Sequence, residues 1–175
     1  VDVREFAETG LVALDLVNTW DVYEPDPERL TNNVELRRFC RELGEPSVVS
    51  AGDLEAVRAL RDRLRPAVIG SAEERTAALV RLSSGLPHAA VVAGDDVPRL
   101  ELVATSEDLA ARLGVRALRE LLEIAAAGDW DRVHHCAAAP CEDVFLDRSR
   151  PGRRQFCSTR CANRAHAVVS RARRS

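Results

Sequence analysis

Apolar residues recur at steps of three and four over much of this chain, and that spacing predicts helices. In NNVELRRFCRELG the apolar positions Val34, Leu36, Phe39, Cys40 and Leu43 follow an asparagine cap and stop at Gly44, which predicts a helix of about three turns. SAGDLEAVRALRDRLRPAV puts Leu54, Val57, Leu60 and Leu64 on one face, with Pro66 expected to end or kink the helix. AEERTAALVRLSS predicts a further helix. Two short apolar runs, HAAVVAG and RLELVAT, flank GDDVP and predict a small antiparallel hairpin. TSEDLAARLGVRALRELLEIAAAGDW predicts a long helix capped by Thr105 or Ser106 and bent at Gly114. GLVALDLVNTW is mostly apolar without strict alternation and is read as a short helix entering the core, while the two prolines of YEPDPERL mark a loop.

A hydrophobic fraction of 46% with 30% charged residues places the 175-residue chain among globular proteins and not among disordered ones. No apolar run approaches the length of about 18 residues needed to span a membrane, and VDVREFAETG has no signal-peptide character. A cytoplasmic protein without a membrane partner is expected. All 25 basic residues are arginine, which reads as the codon bias of a GC-rich bacterial genome. Charge changes the picture more than composition does. Residues 1–147 carry sixteen arginines against all 28 acids, a net of −12, whereas residues 148–175 carry nine arginines and no acid. Such a tail favours a polyanionic partner, with nucleic acid first, although a solvated basic face is the bland alternative. The composition break near residues 129–135 divides the chain into a body, residues 1–130, and an appendage, residues 131–175.

Four of the five cysteines lie in that appendage, as Cys136-x4-Cys141 and Cys157-x3-Cys161 separated by fifteen residues. Two close pairs across a loop form the pattern of a tetrahedral four-thiolate site for one structural zinc, with the spacer expected to fold as a hairpin and Phe145 and Phe156 available to cover it. Another thiolate-bound metal, or unmetallated thiols, are the alternatives. Disulfides suit a reducing compartment poorly. Four cysteines leave no open position for water or substrate, so catalytic zinc is not expected. His134, His135 and His166 are read as surface histidines beside the site, and Cys40 as a buried apolar cysteine.

If a helix starts near Cys161, Arg160, Arg164, Arg171 and Arg174 form one stripe along it, while Ala165, Val168, Val169 and Ala172 suit packing onto the hairpin. Arg153 and Arg154 on the preceding loop add cations from a second direction. This geometry suits phosphates flanking a groove in double-stranded DNA. Part of the stripe would serve the helix dipole in any case.

Cys136 and Cys141, FLDRS at 145–149 and GRRQFCSTRCANR at 152–164 resemble the CGNR zinc-finger family, and LVALDLVNT at 11–19 is similar to the signature of the ABATE domain that precedes such fingers. Ala162 stands where the family has glycine. The resemblance implies an α+β fold: a mostly helical N-terminal domain with a small antiparallel hairpin or sheet, plus a C-terminal treble-clef-like four-cysteine zinc finger. It also implies a bacterial stress-response transcription regulator. Asp15, Asn18 and Thr19 are candidates for lining a small-molecule effector pocket, or for capping helices and satisfying buried backbone. Asn163 and Arg164 are candidates for fixing the knuckle as well as for touching DNA. The leading expectation is a DNA-binding regulator, with a homodimer or a second contact supplying added specificity. The rival is a zinc-dependent protein- or RNA-binding adaptor, with the 4% aromatic content arguing weakly against single-stranded nucleic acid. An enzyme is not expected, since GxSxG, P-loop, GxGxxG and HExxH are absent from the sequence.

Overall fold

The computed structural model describes residues 5–45 and 48–172. Among them, helix α1 spans Val12–Val17, α2 Asn33–Glu42, α3 Asp53–Ile69, α4 Ala72–Gly85, α5 Leu109–Ala126 and α6 Thr159–Ala172. Strands β1, His88–Ala93, and β2, Arg99–Ala104, form one antiparallel hairpin, and β3, Val133–His135, and β4, Val144–Leu146, form another. The fold is α+β with a four-cysteine appendage.

All six residues of α1, Asp15 among them, are buried, which explains why its sequence shows no amphipathic period. It lies against α3 and α5, whose inward faces supply Val57, Leu60, Leu64, Leu113, Leu118 and Leu121 to the main core. Around this centre, α4 packs on α3 and α5, α2 on α3, and the first hairpin on α5 through β2. Local chemistry sets the helix ends. Asn32 accepts hydrogen bonds from the Val34 and Glu35 N–H groups at 2.8 and 3.1 Å, and Ser71 and Glu74 form a reciprocal capping box on α4. Gly44 closes α2 at φ +67°, letting the Glu45 N–H reach back to the Cys40 carbonyl at 2.8 Å.

Several local expectations change. Pro66 does not end α3; it sits exposed in the last turn, three residues before the helix finishes at Ile69. The cap of α5 is not Thr105 or Ser106. The helix follows Asp108, and the Ser106 hydroxyl is engaged in a local turn, donating to Asp108 Oδ2 at 2.6 Å and accepting the Asp108 N–H at 3.2 Å. Gly114 serves packing: a Cβ there would stand 2.7 Å from Leu86 Cδ2 and 3.2 Å from Leu60 Cδ1.

The largest revision concerns the second hairpin. The spacer between the cysteine pairs forms no strand pair within itself. Its first part, β4, returns to pair with β3, which precedes Cys136, so the hairpin brackets the first cysteine pair. Val133 and Val144 are buried in the main core, with Trp130 and Leu146 packed against it. The foot of the appendage is therefore built on the body. Beyond it, of the apolar side of α6 expected to pack on the metal module, Ala165 does so against the cysteine cluster, while Val168, Val169 and Ala172 stand exposed. Val168 and Val169 are 55% and 49% exposed, and Cys161 is the only buried residue of the helix among those described.

Candidate metal centre and the helix it holds

Each cysteine reaches the site from a different local structure. Cys136 follows β3 and its N–H donates to the Asp143 carbonyl at 2.9 Å, which continues the hairpin one step beyond the strands. Cys141 closes a tight knuckle, its N–H donating to the Ala138 carbonyl at 2.8 Å. Cys157 ends the spacer, and its N–H points at Cys136 Sγ at 3.4 Å. Cys161 lies in the first turn of α6, where its N–H donates to Ser158 Oγ at 3.3 Å.

These elements bring all four sulfurs within 4.8 Å of one another, with Cys157 Sγ 3.4 Å from Cys161 Sγ and 3.8 Å from Cys141 Sγ. A zinc–sulfur bond of about 2.3 Å implies sulfur separations of about 3.8 Å along the edges of a tetrahedron, so the quartet fits a closed zinc sphere. The proton chemistry fits as well. Hydrogen bonding with Cys141, then burial, pushes Cys157 up, whereas Cys161, although burial opposes it, is held down by Ser158 and the neighbouring thiols. A divalent cation replaces the protons that four crowded thiols would otherwise share. The four cysteines hold one structural zinc. When bound, the metal supplies cross-linking and no chemistry, since every position is taken by thiolate. His134 stacks on Phe145 with centroids 5.8 Å apart, and His166 meets Phe156 edge-on at 5.9 Å, so both rings pack beside the site. Cys40, remote from it, is 1% exposed and burial pushes its thiol up to about 11.

Two residues outside the appendage fasten the site, and local spacing did not single them out for this role. The Tyr23 hydroxyl donates to the Ala138 carbonyl at 3.0 Å and accepts the Cys141 N–H at 3.1 Å, tying the knuckle to the loop after α1. The Arg164 guanidinium lies 3.7 Å from the Tyr23 ring centroid and donates to Cys161 Sγ at 3.1 Å. Asn18 makes the second tie. Its side-chain amide donates to the Val144 carbonyl at 2.9 Å and accepts the Val144 N–H at 2.8 Å, matching a backbone edge with both of its functions.

Asp15 and Thr19, the other two candidates for an effector pocket, also have structural partners. Asp15 accepts the Thr9 and Gly10 N–H groups at 2.8 Å each, and burial pushes its carboxyl up to about 6 against those bonds. The Thr19 hydroxyl donates to the Leu16 carbonyl at 2.6 Å and accepts from Arg61 at 3.0 Å; Arg61 also pairs with Glu28. Asn18 also lines a cavity of about 170 Å³ between the Thr9 loop and the appendage.

The arginines divide by environment. Arg153, Arg160 and Arg171 are exposed, Arg164 is half-buried against Tyr23, and Arg174 lies outside the described residues. Arg154 is exposed, yet its guanidinium donates to the Phe156 carbonyl at 2.7 Å and to the Cys157 carbonyl, and stacks on Phe145. Hydrogen bonding by Ser149, then by the Arg154 N–H, holds the buried Asp147 carboxyl down to about 2. Arg160 borders a cleft of about 650 Å³ in the body whose walls include Glu5, Glu8, Asp21 and Glu24. Ala162 has ordinary helical backbone inside α6, so the glycine usual at that place is not required here by a positive φ.

The CGNR zinc finger profile matches residues 132–174. The ABATE profile, described as "Putative stress-induced transcription regulator", matches residues 10–140. No curated protein matches the chain.

Proposed function

The chain belongs to the ABATE family and carries a CGNR zinc finger at its C-terminal end, and from that premise we propose that it is a transcription regulator that binds double-stranded DNA through the finger. The observation that carries the reading is the posture of α6. Zinc secures its first turn and the Tyr23 ring meets Arg164 in its second, while residues 166–172 of this helix, about 21 Å long in all, stand exposed, with no acidic residue from 148 to 172 to oppose its arginines. A helix held at one end and cationic along its length suits a major groove, with Arg153 on the adjoining loop meeting the flanking phosphates. In this reading Arg153, Arg160 and Arg171 contact DNA, and Arg164 positions the helix instead of reading bases. Zinc is structural, and the protein needs no catalytic group.

The test is enrichment of random duplex DNA by the zinc-loaded full-length protein at physiological salt, with a triple Arg153→Ala, Arg160→Ala, Arg171→Ala variant beside it. A motif enriched by the wild type and lost in the variant is expected, with the salt dependence of log K falling by about three phosphate contacts. Absence of any motif, with weak salt-sensitive binding alone, would overturn sequence-specific recognition. A second reading has its own observation: the exposed Val168 and Val169 place an apolar strip beside the arginines, as a protein-binding adaptor would require. Zinc-dependent capture of one protein after nuclease treatment, without an enriched DNA motif, would favour that reading.

A further inference from the structure

The four thiols differ in access and in what surrounds them. Cys136, Cys141 and Cys161 are 5%, 6% and 5% exposed, whereas Cys157 is partly exposed and lines the 170 Å³ cavity between the Thr9 loop and the finger. Arg148 and Arg154 also line that cavity, which has room for several water-sized molecules. The hydrogen bonds around the sulfurs are just as unequal. Cys136 Sγ faces the Cys157 N–H at 3.4 Å, and Cys161 Sγ receives the Arg164 guanidinium at 3.1 Å. Cys157 Sγ instead has a carboxylate oxygen, Asp143 Oδ2, at 3.3 Å. With a carboxylate oxygen where Cys136 and Cys161 have an N–H or guanidinium donor, the Cys157 sulfur keeps more of its electron density free for an electrophile.

From this asymmetry we propose that Cys157 is a modification site at which hydrogen peroxide, entering through the cavity, oxidises the finger and releases its metal. In the first step an electron pair on Cys157 Sγ attacks one peroxide oxygen. A sulfur–oxygen bond forms, the oxygen–oxygen bond breaks, and the departing hydroxide takes a proton from solvent to become water, leaving a sulfenic acid. In the second step Cys161 Sγ, 3.4 Å away, attacks the sulfenic sulfur, forming a disulfide and expelling hydroxide, which is protonated to a second water. The two sulfurs together lose two electrons and the peroxide gains them. Two thiolates leave the coordination set, and the remaining pair cannot complete a tetrahedral site. Because Cys161 lies in the first turn of α6, the reaction unfastens the helix at the place where it is secured. The inference concerns the thiols alone and stands apart from the DNA-binding reading.

The experiment is a time course of the full-length zinc-loaded protein with a few equivalents of hydrogen peroxide. Released zinc is read by a chromogenic chelator, and cysteine oxidation is mapped by peptide mass spectrometry with a sulfenic acid trap present. The expected result is trapping at Cys157 first, then a Cys157–Cys161 disulfide, with one zinc released per chain and recovered on reduction and reloading. First oxidation at Cys136, Cys141 or Cys161, or release of zinc before any sulfur is oxidised, would overturn the proposal. Since Cys157→Ser disturbs the metal site itself, the informative variant is Asp143→Asn, which keeps all four ligands. Its oxidation is expected to be about threefold slower at unchanged zinc content, because the amide removes the carboxylate charge beside the sulfur. An unchanged rate would overturn the carboxylate's part in the proposal, just as oxidation beginning at a more buried cysteine would overturn the part played by access.

Discussion

At the scale of single residues, buried polar side chains join parts of the chain that lie far apart in sequence. Asn18 and Val144 are 126 positions apart, yet the asparagine satisfies both backbone groups of that strand residue. Asn18→Ala leaves a partly buried N–H and a C=O unpaired, and is expected to cost about 1–3 kcal/mol in denaturant unfolding. Unchanged stability would mean that water replaces the side chain there. Asp15 makes a pH prediction. Its folded carboxyl titrates at about 6 against an ordinary value of 3.8, so between these values the folded protein binds more protons than the unfolded chain. Its contribution to stability is complete below the lower value and is lost as pH rises through the higher one, a change on the order of 3 kcal/mol. A carboxyl-carbon NMR titration of Asp15 with its midpoint near the ordinary value would contradict this.

Among the secondary-structure elements, the two parts of the appendage differ in what supports them. The β3–β4 hairpin contributes Val133 and Val144 to the main core, while α6 buries only Cys161. A fourteen-residue helix with so little burial is marginal in water, so its order depends on the thiolate cross-link at its first turn. Chelation of zinc is expected to melt α6 and leave the body and the hairpin folded. In heteronuclear NMR, the amide signals of 159–172 should collapse toward random-coil positions while those of α1, α3 and α5 stay dispersed. Loss of all dispersed signals would show that the metal also supports the body, and retention of α6 would show that Tyr23 and Arg164 hold it without metal.

Across the whole molecule, opposite charges meet where the finger joins the body. Arg160 borders the acidic cleft, and Glu8 there, raised chiefly by burial and then by Asp143, feels the field of Arg160. The cleft and a DNA duplex would compete for the same cation. Neutralising its wall with Glu5→Gln, Glu8→Gln and Glu24→Gln in the full chain is therefore expected to tighten DNA binding by about threefold at low salt, the scale of a surface ion pair, with the gain fading as salt rises. Equal affinity at every salt concentration would dismiss masking by the body.

The properties legible in the sequence are those carried by neighbours. The periods of α2, α3, α4 and α5, the Asn32 cap, the hairpin around Gly94, the paired cysteines and the segregation of nine arginines into the last residues each depend on residues within a few turns of one another. Local spacing also sufficed for the metal, because each short pair already turns two sulfurs toward one point. It could not decide which strand β4 would pair with, because Val144 and Asn18 meet only after the chain has folded across its whole length. Nor could it separate Arg164 from the other arginines of the stripe: the spacing is helical for all of them, and the Tyr23 ring beneath one of them comes from a loop 141 positions earlier. The exposure of Cys157, alone among four chemically identical thiols, likewise belongs to the tertiary structure. Short-range regularity specifies elements and ligand pairs, whereas burial and long-range partners assign each repeated residue type its separate work.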